Sequence, residues 1–224
     1  MKAFIIPVTP FVQNCSLLCC EETGKAAVID PGGDLERILE TAQRAAVTIE
    51  KILVTHAHID HAGGVAELAE KLKIPIEGPH RDDQFWVQAL ASQNQMFGLS
   101  GARPFTPERW LTQGDVVRFG NIELTVRHCP GHTPGHIIFF HGPSRLAIVG
   151  DVLFQGSIGR TDLPRGDYGT LIQSIRQQLW PLGDDVTFIP GHGPTSTFGE
   201  ERRTNPFVGD RLLGSGSLSG YPAG

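Results

Sequence analysis

The segment at residues 55–61, THAHIDH, carries three histidines and one aspartate within six residues. It follows directly after the apolar run at residues 51–55, which predicts a buried strand. Imidazole and carboxylate groups are ligands for divalent metals, and the alternation of an extended chain lets His56 and His58 point the same way. Packing alone does not account for this density of histidines, so the segment predicts a metal site at the end of a strand.

Three more candidate ligands occupy the same kind of position further along the chain. His132 lies in the segment CPGHTPGH, Asp151 follows the sequence VG, and His192 lies in PGHGP. Each comes just after an apolar run that is a predicted strand, and these runs are at residues 122–127, 146–149 and 186–189. Because strand ends gather at one edge of a layered α/β protein, the loops predict a single site that includes residues 55–61.

The segment CPGHTPGH leaves a choice of ligand open. His132 and His136 are four residues apart, but Pro134 lies between them, so they need not share a helical face. His136 also begins the apolar run HIIFF, so His132 is the preferred ligand and His136 the alternative. Cys129, three residues before His132, is expected to be a small buried thiol beside the site rather than a ligand.

Composition limits the other classes of function. The chain has 224 residues and a formal net charge of −5, with no block of basic residues of the kind that binds nucleic acid or an anionic membrane. Its apolar runs are far shorter than a membrane span, and its first residues do not resemble a signal peptide. The four cysteines form no CxxC pair and are too few for a disulfide framework. A cytoplasmic protein is expected, with neither nucleic acid nor membrane as partner.

The remaining pattern predicts strands alternating with helices in a single domain. Residues 1–207 are predicted to form this domain, and residues 208–224, rich in Gly and Ser, a flexible tail. Asp34 is the predicted N-cap of a helix, and Gly120-Asn121 is the predicted turn of a hairpin. Further strands are predicted at residues 3–7, 16–20, 26–29, 74–77, 116–119 and 137–140, helices at residues 62–72 and 170–179, and mostly helix and loop at residues 81–111.

The order of these motifs resembles that of the metallo-β-lactamase superfamily. The motif HxHxDH at residues 56–61 is followed by a later His, Asp and His, in the order of that family. The run PGHGPTSTFGEERRTNPF at residues 190–207 is similar to the short glyoxalase II (hydroxyacylglutathione hydrolase)-like proteins, and the resemblance covers residues 14–207. It implies an α/β protein with the αβ/βα four-layer sandwich fold, in which two mixed β-sheets lie back to back with helices outside.

The resemblance also implies the ligands and the cofactors. Two divalent metal ions are expected, zinc before iron or manganese. Asp60 and Asp151 would be catalytic residues as well as ligands, and Asp30 would orient ligands through hydrogen bonds without touching a metal. One ion would be held by His56, His58 and His132, and the other by Asp60, His61 and His192, with Asp151 bridging the two. No ligand position of the family corresponds to His80, His128 or His141.

The activity that the resemblance implies is hydrolysis of a small-molecule thioester such as S-lactoylglutathione. Metal binding brings the pKa of water from about 16 to about 7, so a hydroxide can attack the carbonyl at working pH. One alternative is a persulfide dioxygenase with a single iron ion, which shares the GRTD loop at residues 159–162. Another is a lactone or ester hydrolase of the same fold. A monomer or a small homo-oligomer is expected.

One part of the family pattern is missing from this chain. Full-length glyoxalase II carries a C-terminal helical domain whose basic residues hold glutathione, whereas only 32 residues follow His192 here. Arg160 is therefore the predicted anchor for a carboxylate or carbonyl of the substrate. The alternative role for Arg160 is a salt bridge to Asp162 or to another carboxylate of the loop.

Overall fold

The computed structural model describes residues 1–97 and 101–210, which contain two large β-sheets. The first sheet consists, in spatial order, of β1 (Lys2–Val8), β2 (Gln13–Cys20), β3 (Lys25–Ile29), β4 (Thr48–Leu53) and β5 (Ile76–Glu77). β2 is antiparallel to both of its neighbours, whereas β3, β4 and β5 are parallel to one another. The first sheet is therefore mixed.

The second sheet is also mixed. The later strands are β6 (Val116–Phe119), β7 (Ile122–His128), β8 (Ile137–His141), β9 (Leu146–Gly150), β10 (Leu153–Phe154), β11 (Ser157–Ile158), β12 (Thr187–Pro190) and β13 (Ser196–Thr197). β10 and β11 form a separate ribbon, and the others form a sheet in the order β13-β12-β9-β8-β7-β6. Only β9 and β12 are parallel neighbours, and β7, β9 and β12 all run in the same direction.

Both faces of the central strands are buried. In β8, Ile137 and Phe139 pack between the two sheets, whereas Ile138 and Phe140 pack on the outer side of the second sheet. Leu18 of β2 contributes to the layer between the sheets from the opposite side. Because successive side chains of a strand point to opposite faces, burial of both faces requires continuous apolar runs. This explains why the sequence of β8 shows no polar alternation.

Helices cover the two outer faces of the sandwich. The first sheet is covered by α1 (Leu35–Arg44), α2 (Ile59–Ala62), α3 (Val65–Leu72), α4 (Gln84–Gln88) and α5 (Leu90–Phe97), with a 3-10 turn at Arg81–Asp83. The second is covered by α6 (Tyr168–Ser174), its continuation through a π-helical turn (Ile175–Leu179) and a 3-10 turn (Trp180–Leu182), and α7 (Phe198–Thr204). The expected αβ/βα four-layer sandwich with two mixed sheets is confirmed.

Two local predictions were wrong at the starts of helices. Asp34 does not cap α1, because its backbone is left-handed and its carboxylate accepts a hydrogen bond from the Thr9 amide at 2.9 Å instead. The helix predicted at residues 62–72 is confirmed as α3 but begins later, at Val65, because Gly63-Gly64 separates it from the short helix α2, which begins at Ile59. The interruption brings the Gly64 amide to the loop after β3, where it donates a hydrogen bond to the Pro31 carbonyl oxygen at 2.9 Å.

Two further predictions concern where the domain ends and whether any helix could cross a membrane. The tail predicted at residues 208–224 lies mostly outside the described residues, and Val208 at its start is buried against the outer side of the second sheet. The exact boundary of the domain stays a prediction. None of the helices in residues 1–97 and 101–210 is long and apolar enough to cross a membrane.

A matched pair of isoleucines in the first sheet tests the description of the core. Ile52 is fully buried in β4, whereas Ile5 in the edge strand β1 is 40% exposed. Ile52→Ala should lower the free energy of unfolding by about 2–5 kcal/mol, because it removes buried methyl groups and leaves a cavity. Ile5→Ala should cost less than about 1 kcal/mol. Urea denaturation measures both, and equal losses would contradict the assigned layers.

Candidate metal centre

The carboxyl ends of five strands meet at one edge of the sandwich. Asp30 follows β3, residues 56–61 follow β4, and the loops after β7, β9 and β12 carry the three later candidate ligands. β3 and β4 are parallel, and so are β7, β9 and β12, so that each sheet sends its loops to the same end. The structure therefore brings together all seven ligands predicted from the sequence.

The first group of donor atoms belongs to His56, His58 and His132. Their ligand nitrogens lie within 4.8 Å of one another, and all three side chains are buried. His132 Nε2 is 2.9 Å from His58 Nδ1. The rings meet edge to face, with centroids 4.7–4.9 Å apart. These are the three residues expected to share one metal ion.

The second group adjoins the first through a shared carboxylate. Asp60, His61 and His192 have ligand atoms within 4.8 Å of one another, and His192 Nε2 is 3.1 Å from Asp60 Oδ2. Asp151 lies between the groups: its Oδ1 is 3.2 Å from His61 Nε2, and its Oδ2 is 3.6 Å from His132 Nε2 and 3.7 Å from His192 Nε2. Asp151 thus lies between the two groups, within 3.7 Å of nitrogens of both.

Backbone carbonyls orient two of the histidine rings from behind. His132 Nδ1 donates to the carbonyl oxygen of Arg160 at 2.7 Å, and His192 Nδ1 donates to that of Phe11 at 3.2 Å. A hydrogen bond from Nδ1 fixes the tautomer in which Nε2 carries the free lone pair. In both residues Nε2 is the nitrogen that faces the other donor atoms of its group.

Asp30 orients two further rings and lies behind the site, as the sequence predicted. Its Oδ2 accepts hydrogen bonds from His61 Nδ1 at 2.9 Å and from the Thr55 hydroxyl at 2.6 Å, and its Oδ1 accepts one from the Thr55 amide at 2.7 Å. The Thr55 hydroxyl in turn lies 3.1 Å from His56 Nδ1. Asp30 lies close enough to His56 and His61 to be a ligand itself, but these hydrogen bonds occupy its oxygens.

Burial and local charge set the protonation of the two groups differently. Burial lowers the pKa of His56 far below its usual value, and burial together with His132 lowers the pKa of His58 to about 3. Burial alone would lower the pKa of His61, but the carboxylates of Asp151, Asp60 and Asp30 together outweigh burial and raise that pKa. The first group therefore consists of neutral imidazoles, which is the form that binds metals.

Buried polar atoms without hydrogen-bond partners test whether these residues fit a metal ion. Among the described residues, Nε2 of His56, Nε2 of His61 and Oδ1 of Asp151 are buried and have no hydrogen-bond partner. A Cβ at Gly191 would lie 2.0 Å from Asp151 Oδ1, so the loop after β12 reaches the carboxylate only because residue 191 is glycine. Nitrogen and carboxylate donors in this arrangement suit zinc, iron or manganese. The residues present fit a metal centre, and the two groups are consistent with a dinuclear one.

His136 and Cys129 remain outside both groups. The Nε2 atom of His136 accepts a hydrogen bond from the Asp151 amide at 3.0 Å, and its ring stacks on that of His56 with centroids 4.5 Å apart. His136 therefore holds the backbone of Asp151, while His132 occupies the ligand position. Cys129 packs on the outer side of the second sheet, and burial raises the pKa of its thiol.

Asp83 joins two of the ligand loops, and no motif in the sequence singles it out. The side chain is fully buried, and Oδ2 accepts hydrogen bonds from the Ala57 amide at 3.1 Å and the Thr133 hydroxyl at 2.8 Å. Oδ1 accepts one from the Gly135 amide at 2.7 Å. Burial raises the pKa of Asp83 to about 7, although these hydrogen bonds oppose the shift. One carboxylate thus sets the spacing between the loops of the first group.

Asn14 has a similar role in the loop of His192 and was also missed. Its Nδ2 donates to the carbonyl oxygens of Pro190 at 3.0 Å and Gly193 at 2.9 Å. Its backbone amide donates to the carbonyl oxygen of Gly191 at 2.7 Å. All three partners are backbone atoms, so no pair of side chains in the sequence could have indicated the contact.

Arg160 contributes its backbone rather than its side chain to the centre. Its guanidinium forms two hydrogen bonds of 2.7 Å with Asp162, and both side chains are exposed. This is the alternative role that the sequence left open. Its carbonyl oxygen accepts the hydrogen bond from His132 described above. A role for Arg160 as a substrate anchor stays a prediction.

The fold and the two adjoining donor groups define a metal-binding αβ/βα sandwich protein. Residues 8–192 match the metallo-beta-lactamase superfamily, and the chain belongs to this family. The matched region contains all seven candidate ligands. The resemblance inferred from the motifs is confirmed.

Three similar proteins match the chain over nearly its whole length. The hydroxyacylglutathione hydrolase GloC of Haemophilus influenzae is 45% identical over 212 residues, which are 94% of this chain and 100% of that protein. The crystal structure of TTHA1623 in a di-iron-bound form is 37% identical, with a TM-score of 0.83, and covers 92% of this chain and 100% of its own. The crystal structure of BLEG-1 B3 metallo-β-lactamase is 34% identical, with a TM-score of 0.84, and covers 92% of this chain and 99% of its own.

The different positions of His132 and His136 predict different effects of their removal. Loss of a residue that only orients a ligand typically weakens metal binding about 10–100-fold, so His136→Ala should fall in that range. His132→Ala removes a donor atom itself and should weaken binding by more than about 100-fold. Competition with a chromogenic chelator measures both affinities. The reverse order would show that His136 is the ligand.

Asp83→Asn tests whether the shared carboxylate maintains the first donor group. The asparagine side chain has one oxygen where Asp83 has two, and its amide nitrogen cannot accept a hydrogen bond. At least one of the donors on Ala57, Thr133 and Gly135 therefore loses its partner in the variant. Metal affinity should fall about 10–100-fold, measured by the same competition. The control is Asp82→Asn, whose side chain is exposed and pairs with His80 at 3.4 Å, and it should leave metal affinity unchanged. A loss of stability with unchanged metal affinity would show that Asp83 serves folding alone.

Proposed function

We propose that this chain is a dinuclear metal-dependent hydrolase that cleaves a thioester such as S-lactoylglutathione. The position of Asp151 supports a centre with two metal ions, because its carboxylate oxygens lie 3.2–3.7 Å from nitrogens of both donor groups. The thioester part is supported by the 45% identity with the hydroxyacylglutathione hydrolase GloC, over the full length of that protein. The residues that would hold the two ions are His56, His58 and His132 for one, Asp60, His61 and His192 for the other, and Asp151 for both.

The protein's own residues hold and orient the reacting centre. When bound, two divalent ions would supply an activated water and an electrophilic partner for the carbonyl oxygen of the substrate. Asp60 and Asp151 supply negative charge against the two ions, and the amide of Asp151 is held by His136. The thiolate of a thiol with a pKa of about 8.5 leaves without prior protonation, so the reaction needs no residue as a general acid.

The donor set does not select a single metal. Imidazole and carboxylate ligands accept zinc, iron and manganese alike. TTHA1623, which is 37% identical to this chain, was crystallised in a di-iron-bound form. The expectation of zinc stays a prediction, and iron is the alternative that this relative supports.

The second donor group favours a hydrolase with two metal ions over a dioxygenase with one iron ion. A mononuclear site at the first group would leave Asp60, His61 and His192 without a function, although their ligand atoms converge within 4.8 Å. A lactone or ester hydrolase would use the same centre, so substrate tests must distinguish it. The 34% identity with BLEG-1 makes a β-lactam a necessary comparison substrate.

Metal analysis and hydrolysis measured on one preparation test the proposal. The metal-saturated protein should hold two divalent ions per chain, one for each donor group. It should cleave S-lactoylglutathione faster than a lactone or a β-lactam, lose this activity to a chelator and recover it when metal is added. One ion per chain, together with oxygen uptake on glutathione persulfide, would replace the hydrolase with a dioxygenase.

A pair of histidine variants is the control for this experiment. His58 belongs to the first donor group, whereas His141 at the end of β8 lies outside both groups and bonds Ser144 Oγ at 2.6 Å. His58→Ala should lower kcat/KM by at least about 100-fold, since even the loss of an orienting partner costs up to that much. His141→Ala should leave kcat/KM unchanged. Equal losses would mean that the activity does not arise at this centre.

A further inference from the structure

A cavity of about 410 Å³ lies beside the loop that carries His132. Pro134 of that loop forms one wall, Phe85 of α4 forms another, and the segment that follows the GRTD loop forms a third. The charged residues of the lining are Arg81, Arg165 and Asp82. The cavity therefore carries more positive than negative charge.

Neither arginine of the cavity is neutralised by an acidic side chain. Within residues 1–97 and 101–210, no carboxylate forms an ion pair with Arg81 or Arg165. Asp82 faces a neighbouring histidine at 3.4 Å, Asp162 is paired with the arginine two residues before it, and Asp167 accepts the capping hydrogen bond of α6. Two guanidinium groups without carboxylate partners favour the binding of an anion.

The guanidinium of Arg165 lies over the face of an aromatic ring. Its Cζ lies 4.1 Å from the centroid of Phe85. A stacked guanidinium keeps its edge N–H groups available for two parallel hydrogen bonds to a carboxylate. The backbone of Arg165 has φ 64°, a conformation that is uncommon for residues other than glycine.

Aromatic contacts connect this arginine with the metal centre. The ring of Phe85 is 5.1 Å from that of Trp86, and Trp86 is 4.6 Å from His58, measured between centroids. The guanidinium of Arg165 therefore lies within about 14 Å of the His58 ring. A tripeptide thiol places its carboxylates on the order of 10 Å from its sulfur, at about 3.5 Å per extended residue. This upper limit is of the same order as the reach of a glutathione thioester whose carbonyl is at the donor groups.

From these observations we infer that Arg165, stacked on Phe85 and assisted by Arg81, binds a carboxylate of the thiol portion of the substrate. The inference rests on the proposed function and assigns the group that recognises glutathione. It places the anchor at Arg165 rather than at Arg160, whose guanidinium is bonded to Asp162. The side-chain amides of Gln84 and Gln88 line the same cavity and offer further donors to the anion.

Two thioesters that differ in their carboxylates test the inference in the metal-loaded, full-length protein. S-Lactoylglutathione carries the carboxylates, and the lactoyl thioester of N-acetylcysteamine lacks them. Arg165→Gln should raise KM for S-lactoylglutathione about tenfold to hundredfold, as expected for one lost charge-assisted hydrogen bond, with little change in kcat. KM for the short thioester should not change. Arg165→Lys keeps the charge but loses the planar stack, and should give an intermediate KM.

The matched control is Arg118→Gln, which removes the same charge at the far edge of the second sheet. Arg118 is exposed and bonds Glu123 at 2.6 Å, so its loss should leave KM unchanged for both thioesters. A raised KM for Arg160→Gln with no effect of Arg165→Gln would overturn the inference. So would a preference for S-lactoylglutathione that survives Arg165→Gln and Arg81→Gln.

Failure of the proposed function would give a different result. If the wild-type protein cleaves neither thioester, the hydrolase proposal fails, and calorimetric titration with S-methylglutathione then tests the carboxylate site by itself. Binding that Arg165→Gln weakens at least about tenfold would support the site. The absence of binding to the wild-type protein would overturn it.

Discussion

The buried carboxylate of Asp30 is the constraint on which the rest of the centre depends. It stands at the end of β3 with a left-handed backbone, φ 53°, and accepts three hydrogen bonds from the segment after β4. Through Thr55 it reaches His56 in the first donor group, and it bonds His61 of the second group directly. One side chain therefore aligns both groups and ties their positions to two parallel strands.

Such a polar network requires a dry and rigid surrounding. A buried carboxylate without partners would cost several kcal/mol, at about 1–3 kcal/mol or more for each unmade hydrogen bond. Asp30 and Asp83 each accept three hydrogen bonds, so burial is tolerated in both cases. The apolar layers on both sides of each sheet exclude water and keep the strand ends in place. The network then fixes the loops to within the distances that ligands need.

The reacting centre and the recognition of substrate lie on different parts of the chain. The candidate ligands follow strand ends and are held by buried hydrogen bonds, so they belong to the rigid part of the fold. The proposed anchor Arg165 and its partner Phe85 lie on a loop and on the short helix α4. These segments carry none of the candidate ligands, although Trp86 of α4 contacts His58, so recognition and chemistry are assigned to different side chains of one fold.

The sequence by itself determined the fold class, most strands and helices, and all seven candidate ligands. It could do so because histidines and aspartates just after apolar strands are chemically unusual, and because the strands are local apolar runs. The sequence favoured His132 and kept His136 as the alternative, and the tertiary structure shows that His132 is the one that faces the first group. Tertiary structure alone decided that Arg160 bonds Asp162. It also revealed Asp83 and Asn14, which bond mainly to backbone groups distant along the chain. Almost every residue has a backbone amide and carbonyl, so the sequence does not show which of them an aspartate or asparagine side chain will bond. That choice depends on how the layers pack.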